Sequence, residues 1–209
     1  MIHPPPDPPR APEPLIPGLP HQPRRWVVEV VQSVLLAALL FALISSFVAQ
    51  PVQVELTSME PTLEPGDHLL VDKLTPRWDA YDRGDIVVFD APPPYDAEGV
   101  PYVKRVVALP GETVSIENGA IFVAAPGGAP VRLDEPYLDG AGPTLPRGVS
   151  GDTTWRVPDD AVFVLGDNRG GSVDSRTFGT LALDRVLGRA WLRYLPIDRI
   201  TALGASRAP

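Results

Sequence analysis

Cysteine is absent from this sequence, and lysine and histidine are nearly so. Without cysteine, neither a disulfide framework nor a thiolate zinc site can form. The formal net charge of −8 argues against nucleic acid as a partner. Sixteen of the eighteen basic residues are arginine, and only Lys73 and Lys104 are lysine. Because arginine keeps its proton in proteins whereas a desolvated lysine can lose it, these two lysines are the candidates for acid–base chemistry.

A charge-free apolar run follows a proline-rich start. Residues 1–25 contain ten prolines, a composition that cannot bury a core and that predicts an extended, disordered tail. The twenty residues from Val30 to Ala49 carry no charge, and such a run is long enough to cross the hydrocarbon core of a bilayer as a helix. We therefore predict a transmembrane anchor over residues 26–49.

The charges that flank this run predict its orientation. Arg24 and Arg25 precede it, and no Arg or Lys follows it until Lys73. By the positive-inside rule the tail is then cytoplasmic, and the chain after the run lies on the outer side. A cleaved signal peptide is the alternative. However, the run is longer than a usual signal h-region, and cleavage after Ala49 would leave Phe47 where a small residue is expected.

After the run, the sequence consists of short β-type stretches separated by Gly, Pro and Asp. Asn118-Gly119, between two of these stretches, predicts a two-residue hairpin turn. The segment from Pro126 to Gly151 is rich in Pro and Gly and predicts a long loop or an irregular insertion. The predicted strands are Val52–Leu56, Leu69–Val71, Asp85–Phe89, Tyr102–Leu109, Thr113–Ile116, Ala120–Val123, Ala161–Leu165 and Val186–Tyr194.

These patterns predict a mainly β fold class. A single N-terminal transmembrane helix is followed by an antiparallel β-rich domain over residues 50–200. This domain contains a long Pro/Gly-rich insertion, a β-hairpin and loop over about residues 113–158. Residues 201–209 are predicted to form a C-terminal tail.

Ser58 lies in a short polar turn, nine residues after Ala49. A serine hydroxyl is a poor nucleophile and needs a base to take its proton. Histidine is the usual base, but only His68 lies on the same side of the apolar run as Ser58. The Ser-Lys variant of this chemistry uses a lysine instead.

Lys104 is the stronger of the two lysine candidates. It lies between Val103 and Arg105 in an apolar predicted strand, where burial favours the neutral amine. Lys73 follows Asp72 and precedes a polar turn, which is typical of an exposed or paired cation. The alternatives are His68 as the base, and a Lys104 side chain that extends to water.

Four segments of the sequence together closely resemble the bacterial type I signal peptidases, in their order and spacing. The resemblance extends from about Val52 to Arg199 and implies an N-terminal anchor followed by a β-rich catalytic domain. Each segment alone is a weak signal, whereas four in register are specific. The segments are Ser58-Met59-Glu60-Pro61-Thr62-Leu63; Gly66-Asp67 with Val71-Asp72-Lys73; Tyr102 to Val107 through Pro110-Gly111-Glu112; and Gly166-Asp167-Asn168-Arg169 through Ser172, Asp174, Ser175 and Arg176.

The resemblance also implies roles for individual residues. Ser58 takes the position of the nucleophile and Lys104 that of the general base. Ser172 is expected to hydrogen-bond and orient the lysine amine, and Asp174 and Arg176 are expected to form a structural pair. A calcium loop over this last segment is the competing interpretation, but its carboxylates and glycines do not fall at calcium-loop spacing.

The oxyanion of the reaction requires fixed hydrogen-bond donors, and the Ser58 backbone N–H is the natural one. Leu56 stands where some members of the family carry a serine whose hydroxyl completes the oxyanion hole. Thr57 or a backbone group is the alternative second donor. The resemblance further implies shallow pockets for small substrate side chains, and the expected substrate-binding residues are Val54, Met59, Leu63, Tyr102 and Val103.

The sequence therefore predicts a single-pass, membrane-anchored Ser-Lys endopeptidase of the bacterial cytoplasmic (inner) membrane, with an extracytoplasmic catalytic domain. It would remove signal peptides from membrane-bound preproteins, after small residues at positions −1 and −3. The expected partners are these preproteins and the lipid bilayer, with no cofactor, metal or nucleic acid. Two alternatives are a dedicated Ser-Lys processing peptidase for one secreted or conjugative partner, and a non-catalytic, membrane-tethered β-domain that binds extended peptides.

Overall fold

The computed structural model describes residues 23–74, 79–96, 99–138, 142–148 and 151–204. They belong to two compact units that divide between Phe41 and Ala42. The predicted disordered tail lies outside the described residues, apart from its last three positions. The described helices and strands are α1 Pro23–Phe47, β1 Ala49–Gln53, β2 His68–Asp72, β3 Ile86–Phe89, β4 Tyr102–Ala108, β5 Thr113–Glu117, β6 Ala120–Ala124, β7 Val131–Arg132, β8 Thr154–Arg156, β9 Ala161–Leu165, α2 Ser175–Phe178, β10 Leu181–Ala182, β11 Val186–Leu195 and β12 Thr201–Ala202.

The N-terminal helix α1 contains a segment, Arg25–Ile44, that is long and apolar enough to cross a membrane by length and composition. The helix begins at Pro23, earlier than predicted, because the fixed φ of proline suits the first turn of a helix. It ends at Phe47, and β1 begins at Ala49, inside the predicted apolar run. The predicted boundary fails here because the first residues of β1 pair with β2 and so join the sheet.

The larger sheet has eight strands in the order β1-β2-β11-β3-β4-β9-β10, with β12 paired to β11. Its described strand pairs are all antiparallel, so the predicted mainly β, antiparallel fold is confirmed. Strand β3 is buried along its whole length. Ile86 and Val88 pack into one hydrophobic cluster, and Val87 and Phe89 into another. Because side chains alternate along a strand, this pattern shows that both faces of the sheet are covered.

The insertion forms a second, four-stranded sheet in the order β7-β6-β5-β8. The predicted hairpin is confirmed, since Asn118 and Gly119 have φ values of 48° and 80° and connect β5 to β6. Positive φ at both positions is what a type I′ turn requires. The hairpin packs against Phe163 of β9 in one buried cluster, which joins the insertion to the larger sheet.

Four short strands are absent from the sequence prediction: β7, β8, β10 and β12. Each has only two or three residues, too few to show an alternating hydrophobic pattern. Strand β12 lies where a C-terminal tail is predicted, because Thr201 and Ala202 pair with Arg193 and Leu192 of β11. These strands form because tertiary pairing satisfies their backbone groups.

Candidate active site

Ser58 lies in a 3₁₀ turn, Thr57–Met59, in the connection between β1 and β2. Met59 is fully buried, and the Leu63 N–H donates to the Met59 carbonyl oxygen over 2.9 Å. Met59 and Leu63 thus anchor the turn in the hydrophobic core. The Ser58 side chain itself is only half-buried, so it remains accessible from the surface.

Lys104 lies on the central strand β4, opposite Val87 of β3, and is 2% exposed. Its Nζ atom lies 2.8 Å from Ser58 Oγ and 2.9 Å from the carbonyl oxygen of Val103. The amine and the hydroxyl are thus within the hydrogen-bond distance that a base and its nucleophile need.

The surroundings of Lys104 favour its neutral form. Burial lowers the pKa of the amine from 10.5 to about 8, although the charges of Asp174 and Asp167 oppose part of this change. Asp174 pairs with Arg176 (Oδ2 to Nη2, 2.7 Å), and Asp167 pairs with Arg105 (Oδ2 to Nη2, 2.6 Å). Because each carboxylate has its own guanidinium partner, neither needs the lysine ammonium to balance its charge.

A loop that follows β9 lies against the nucleophile turn. The Asn168 N–H donates to the Ser58 carbonyl oxygen over 3.1 Å, and the Asn168 Nδ2 donates to the Thr57 carbonyl oxygen over 3.2 Å. A Cβ on Gly166 would lie 2.5 Å from the Ser58 carbonyl oxygen. The loop therefore holds the backbone of the turn from one side, and only glycine permits this approach.

Ser172 lies in this loop, is fully buried, and is adjacent to Gly166. Its hydroxyl has no hydrogen-bond partner among the described residues. The hydrogen bond expected between Ser172 and the Lys104 amine is therefore not formed here. The amine is directed instead by the carbonyl group of Val103, on its own strand.

A groove with a volume of about 260 Å³ lies next to Ser58 and Lys104. Two extended segments line it, residues 50–56 and 99–103, together with Met59. Four of the five predicted substrate-binding residues lie in the groove wall: Val54, Met59, Tyr102 and Val103. Leu63 is the exception. It packs in the same buried cluster as Met59 but does not line the groove, because the turn that starts at Met59 directs it into the core.

The two competing interpretations of the site receive no support from the described contacts. The His68 ring packs against the ring of Tyr194, with 5.8 Å between their centroids, and no described hydrogen bond joins it to Ser58. Within the described ranges, no group of three or more His, Asp and Glu side chains is arranged to hold a metal ion.

The sequence patterns indicate no role for Asn168, although it lies in one of the four segments. They also do not indicate that Arg105 pairs with Asp167, or Arg169 with Glu135 of the insertion. Asn168 could have been identified as a candidate site residue because it belongs to a run of polar residues that directly follows the buried strand β9. The pairings carry no such signal, because their partners are far apart in the sequence.

Comparison with known proteins shows the family to which the chain is similar. The model of the family described as signal peptidase, peptidase S26, matches residues 27–195. The chain is 36% identical over 187 residues to the probable signal peptidase I-1 of Synechocystis sp., covering 88% of this chain and 90% of the relative. It is 38% identical over 184 residues to the signal peptidase I of Bacillus caldolyticus, covering 84% and 92%. A crystal structure of a signal peptidase I from Enterococcus faecalis V583 matches at 30% identity with a TM-score of 0.41, covering 53% of this chain and 97% of that one.

The chain therefore belongs to the signal peptidase family, peptidase S26. The predicted family and the predicted class of enzyme, a hydrolase of peptide bonds, are both confirmed.

Proposed function

We propose that this chain is a membrane-anchored Ser-Lys endopeptidase that cleaves signal peptides from exported preproteins. The observation that supports this most directly is the 2.8 Å distance between Ser58 Oγ and the buried Lys104 Nζ. In the proposed reaction the neutral amine takes the proton of Ser58 as its oxygen attacks the scissile carbonyl group. Lys104 then gives this proton to the leaving amine and activates the water that hydrolyses the acyl-enzyme.

The Ser58 backbone N–H is the proposed donor to the oxyanion of the tetrahedral intermediate. The hydrogen bond from the Asn168 N–H to the Ser58 carbonyl oxygen restricts the backbone of this turn. Leu56 is exposed and its side chain has no donor. The exposed Thr57 hydroxyl is the proposed second donor, because it is the adjacent side chain that can donate.

The groove is the proposed binding site for an extended substrate segment. Strand β1 is at the edge of the larger sheet, so a peptide can pair with it as an additional strand. Alternate side chains of an extended peptide point in the same direction. The residues at −1 and −3 would thus both face the groove wall of Val54, Met59, Tyr102 and Val103. Because a volume of about 260 Å³ must hold both side chains and the backbone between them, we expect the groove to accept small side chains.

Helix α1 is the proposed membrane anchor, with the N-terminus in the cytoplasm of a bacterium and the catalytic unit outside. The support comes from the apolar segment Arg25–Ile44 and from the two arginines at its start. A preprotein is itself held in the membrane by its signal peptide. Confinement of enzyme and substrate to one bilayer would raise their effective concentration.

A cleavage assay with the full-length protein in detergent micelles and a purified preprotein tests this proposal. We expect the wild-type protein to release the mature product, and both Ser58→Ala and Lys104→Ala to be inactive. Lys73→Ala is the matched control, because the Nζ of the only other lysine lies 3.4 Å from Gln50 Oε1 instead of contacting Ser58. Full activity of Lys104→Ala would disprove the mechanism, and binding without cleavage by the wild type would favour a peptide-binding domain.

A further inference from the structure

We propose that Glu135, on the insertion, is a positioning residue for catalysis. It holds Arg169 in place, and through Arg169 it holds the loop Gly166–Ser172 against the nucleophile turn. This inference depends on the proposed function, because it concerns the rate of the reaction at Ser58.

The side chain of Arg169 is part of the loop's own structure. Its Nε donates to the carbonyl oxygen of Gly166 over 3.1 Å. Arg169 directly follows Asn168, whose backbone N–H binds the Ser58 carbonyl oxygen. A displacement of the Arg169 guanidinium would therefore move both loop residues that contact the turn.

The partners of this guanidinium come from the insertion. Both Nη atoms of Arg169 donate to the Glu135 carboxylate, with Nη1 to Oε2 at 3.2 Å, and Nη1 also donates to Thr144 Oγ1 over 2.5 Å. Arg169 is 2% exposed. Burial disfavours the charged guanidinium, but the hydrogen bonds and charge of Glu135, together with smaller contributions from Tyr137 and Asp167, outweigh it and raise the pKa of Arg169. Removing this carboxylate would leave a buried cation without its ion-pair partner.

Asp167 is the other carboxylate near Arg169, but it is already paired with Arg105. The insertion also reaches Arg105, since the Tyr137 ring stacks on its guanidinium at 3.9 Å and the Tyr137 hydroxyl donates to Glu135 Oε1 over 2.7 Å. The insertion thus contacts two parts of the site, the loop through Glu135 and Arg169, and strand β4 through Tyr137 and Arg105. A further contact to the loop is made by Arg147, which donates to the Gly170 and Ser172 carbonyl oxygens. The Leu145 carbonyl oxygen accepts from Arg176 of helix α2, which follows the loop.

The location of Glu135 predicts a specific kinetic effect. Glu135 is not among the residues that line the groove, so its loss should leave substrate binding largely intact. A misplacement of about 1 Å at a reacting group can cost up to about 100-fold in rate. Lys104, by contrast, lies on the central strand β4, so its burial and its proton affinity should not change.

The test compares Glu135→Gln with Asp134→Asn in the full-length protein in detergent. Both changes replace a carboxylate of the insertion with an amide, but Asp134 is exposed. For a peptide that contains a signal-peptide cleavage site, kcat and KM are measured between pH 6 and 10, together with the thermal unfolding midpoint. For Glu135→Gln we expect kcat to fall about 10- to 100-fold, KM to stay within about twofold, and the midpoint of the pH profile to remain that of the wild type. Asp134→Asn should behave like the wild type.

An unchanged kcat in folded Glu135→Gln would overturn the inference. So would a lower kcat accompanied by a pH midpoint shifted towards that of an ordinary lysine, since this would mean that Lys104 had become hydrated. If Glu135→Gln does not fold, Thr144→Ala is measured in its place, because it removes another hydrogen-bond partner of Arg169. It should lower kcat about threefold at constant KM, and an unchanged kcat would again overturn the inference. If the wild type does not cleave the peptide, the proposed function fails instead, which is a different result.

Discussion

Gly166 packs so closely against Ser58 that a side chain at position 166 would meet the Ser58 carbonyl oxygen. A Cβ there would lie 2.5 Å from this oxygen and 2.5 Å from the Cβ of Ser172. Ser172 is fully buried, and the Ser58 carbonyl oxygen accepts from the Asn168 N–H, so either the loop or the nucleophile turn would have to shift to make room. The backbone contact between these residues is therefore a condition for the arrangement of the site.

From this contact we expect Gly166→Ala to lower kcat by at least about 100-fold. The added methyl group would push the Ser58 turn away from its position near Lys104. Steady-state kinetics on a cleavable peptide, with circular dichroism to confirm that the protein is folded, would check this.

Gly170→Ala is the matched control for this substitution. Gly170 lies in the same loop, but a Cβ there would meet only Asn168 Oδ1, at an ordinary distance of 3.8 Å. We expect its kcat to stay within about twofold of the wild type. Equal losses in the two variants would show that loop flexibility, and not the contact with Ser58, limits activity.

Activity should rise with pH if Lys104 acts as a neutral base. With a pKa of about 8, roughly a tenth of the amine is neutral at pH 7 and roughly nine tenths at pH 9. We therefore expect kcat/KM to increase through a midpoint near pH 8 and then to level off, measured in buffers of constant ionic strength. A rate that falls between pH 6 and pH 8 would contradict this assignment.

Some parts of the structure could be predicted from local sequence because local chemistry determines them. Asn118-Gly119 predicts its hairpin because few residues tolerate positive φ. The pairing of Ser58 with Lys104 joins residues 46 positions apart and is not local. It could be predicted because four segments together resemble the signal peptidases and only one of the two lysines lies in an apolar strand. The larger antiparallel sheet could be predicted because short apolar stretches separated by turn residues form strands that pair with one another.

Other parts depend on contacts between distant segments and leave no local pattern. Glu135 occurs in a Pro/Gly-rich stretch, and its partner Arg169 lies 34 residues further on. The position of Leu63 below the groove depends on how the turn at Met59 packs in the core. Strand β12 pairs with Leu192 and Arg193, which lie beyond the part of β11 that pairs with β3. Prediction of such features requires the folded chain.

The buried amine of Lys104 should reduce stability at neutral pH. The unfolded chain holds its proton up to about pH 10.5, whereas the folded protein loses it near pH 8. Since the unfolded state binds more protons between these values, the stability of the wild type should rise with pH in this window. The difference between the two pKa values of Lys104 corresponds to about 3 kcal/mol in the free energy of unfolding.

Lys104→Met tests this effect, because methionine fills a similar volume without a charge. We expect the variant to be inactive but more stable than the wild type at pH 7, by about 1–3 kcal/mol. The gap should close as the pH approaches 10.5. Chemical denaturation in detergent micelles at several pH values would measure it, and a gap that does not change with pH would exclude Lys104 protonation as its cause.

The buried ion pair between Arg105 and Asp167 should be essential for stability. Their side chains are 7% and 0% exposed, and the Arg105 Nε and Nη2 both donate to the Asp167 carboxylate. Asp167→Asn would leave the guanidinium buried without a counter-charge, which we expect to lower the free energy of unfolding by about 3–5 kcal/mol. Chemical denaturation at pH 7 would measure the loss.

Glu64→Gln provides the comparison for this prediction. Glu64 pairs with Arg199 at 2.7 Å, but its side chain is 53% exposed, so solvent screens the interaction and the expected loss is less than about 1 kcal/mol. A similar loss in both variants would mean that burial does not decide the contribution of these pairs. A small loss in Asp167→Asn alone would mean that Gly84 and Thr62, which also accept hydrogen bonds from Arg105, are sufficient to stabilise its charge.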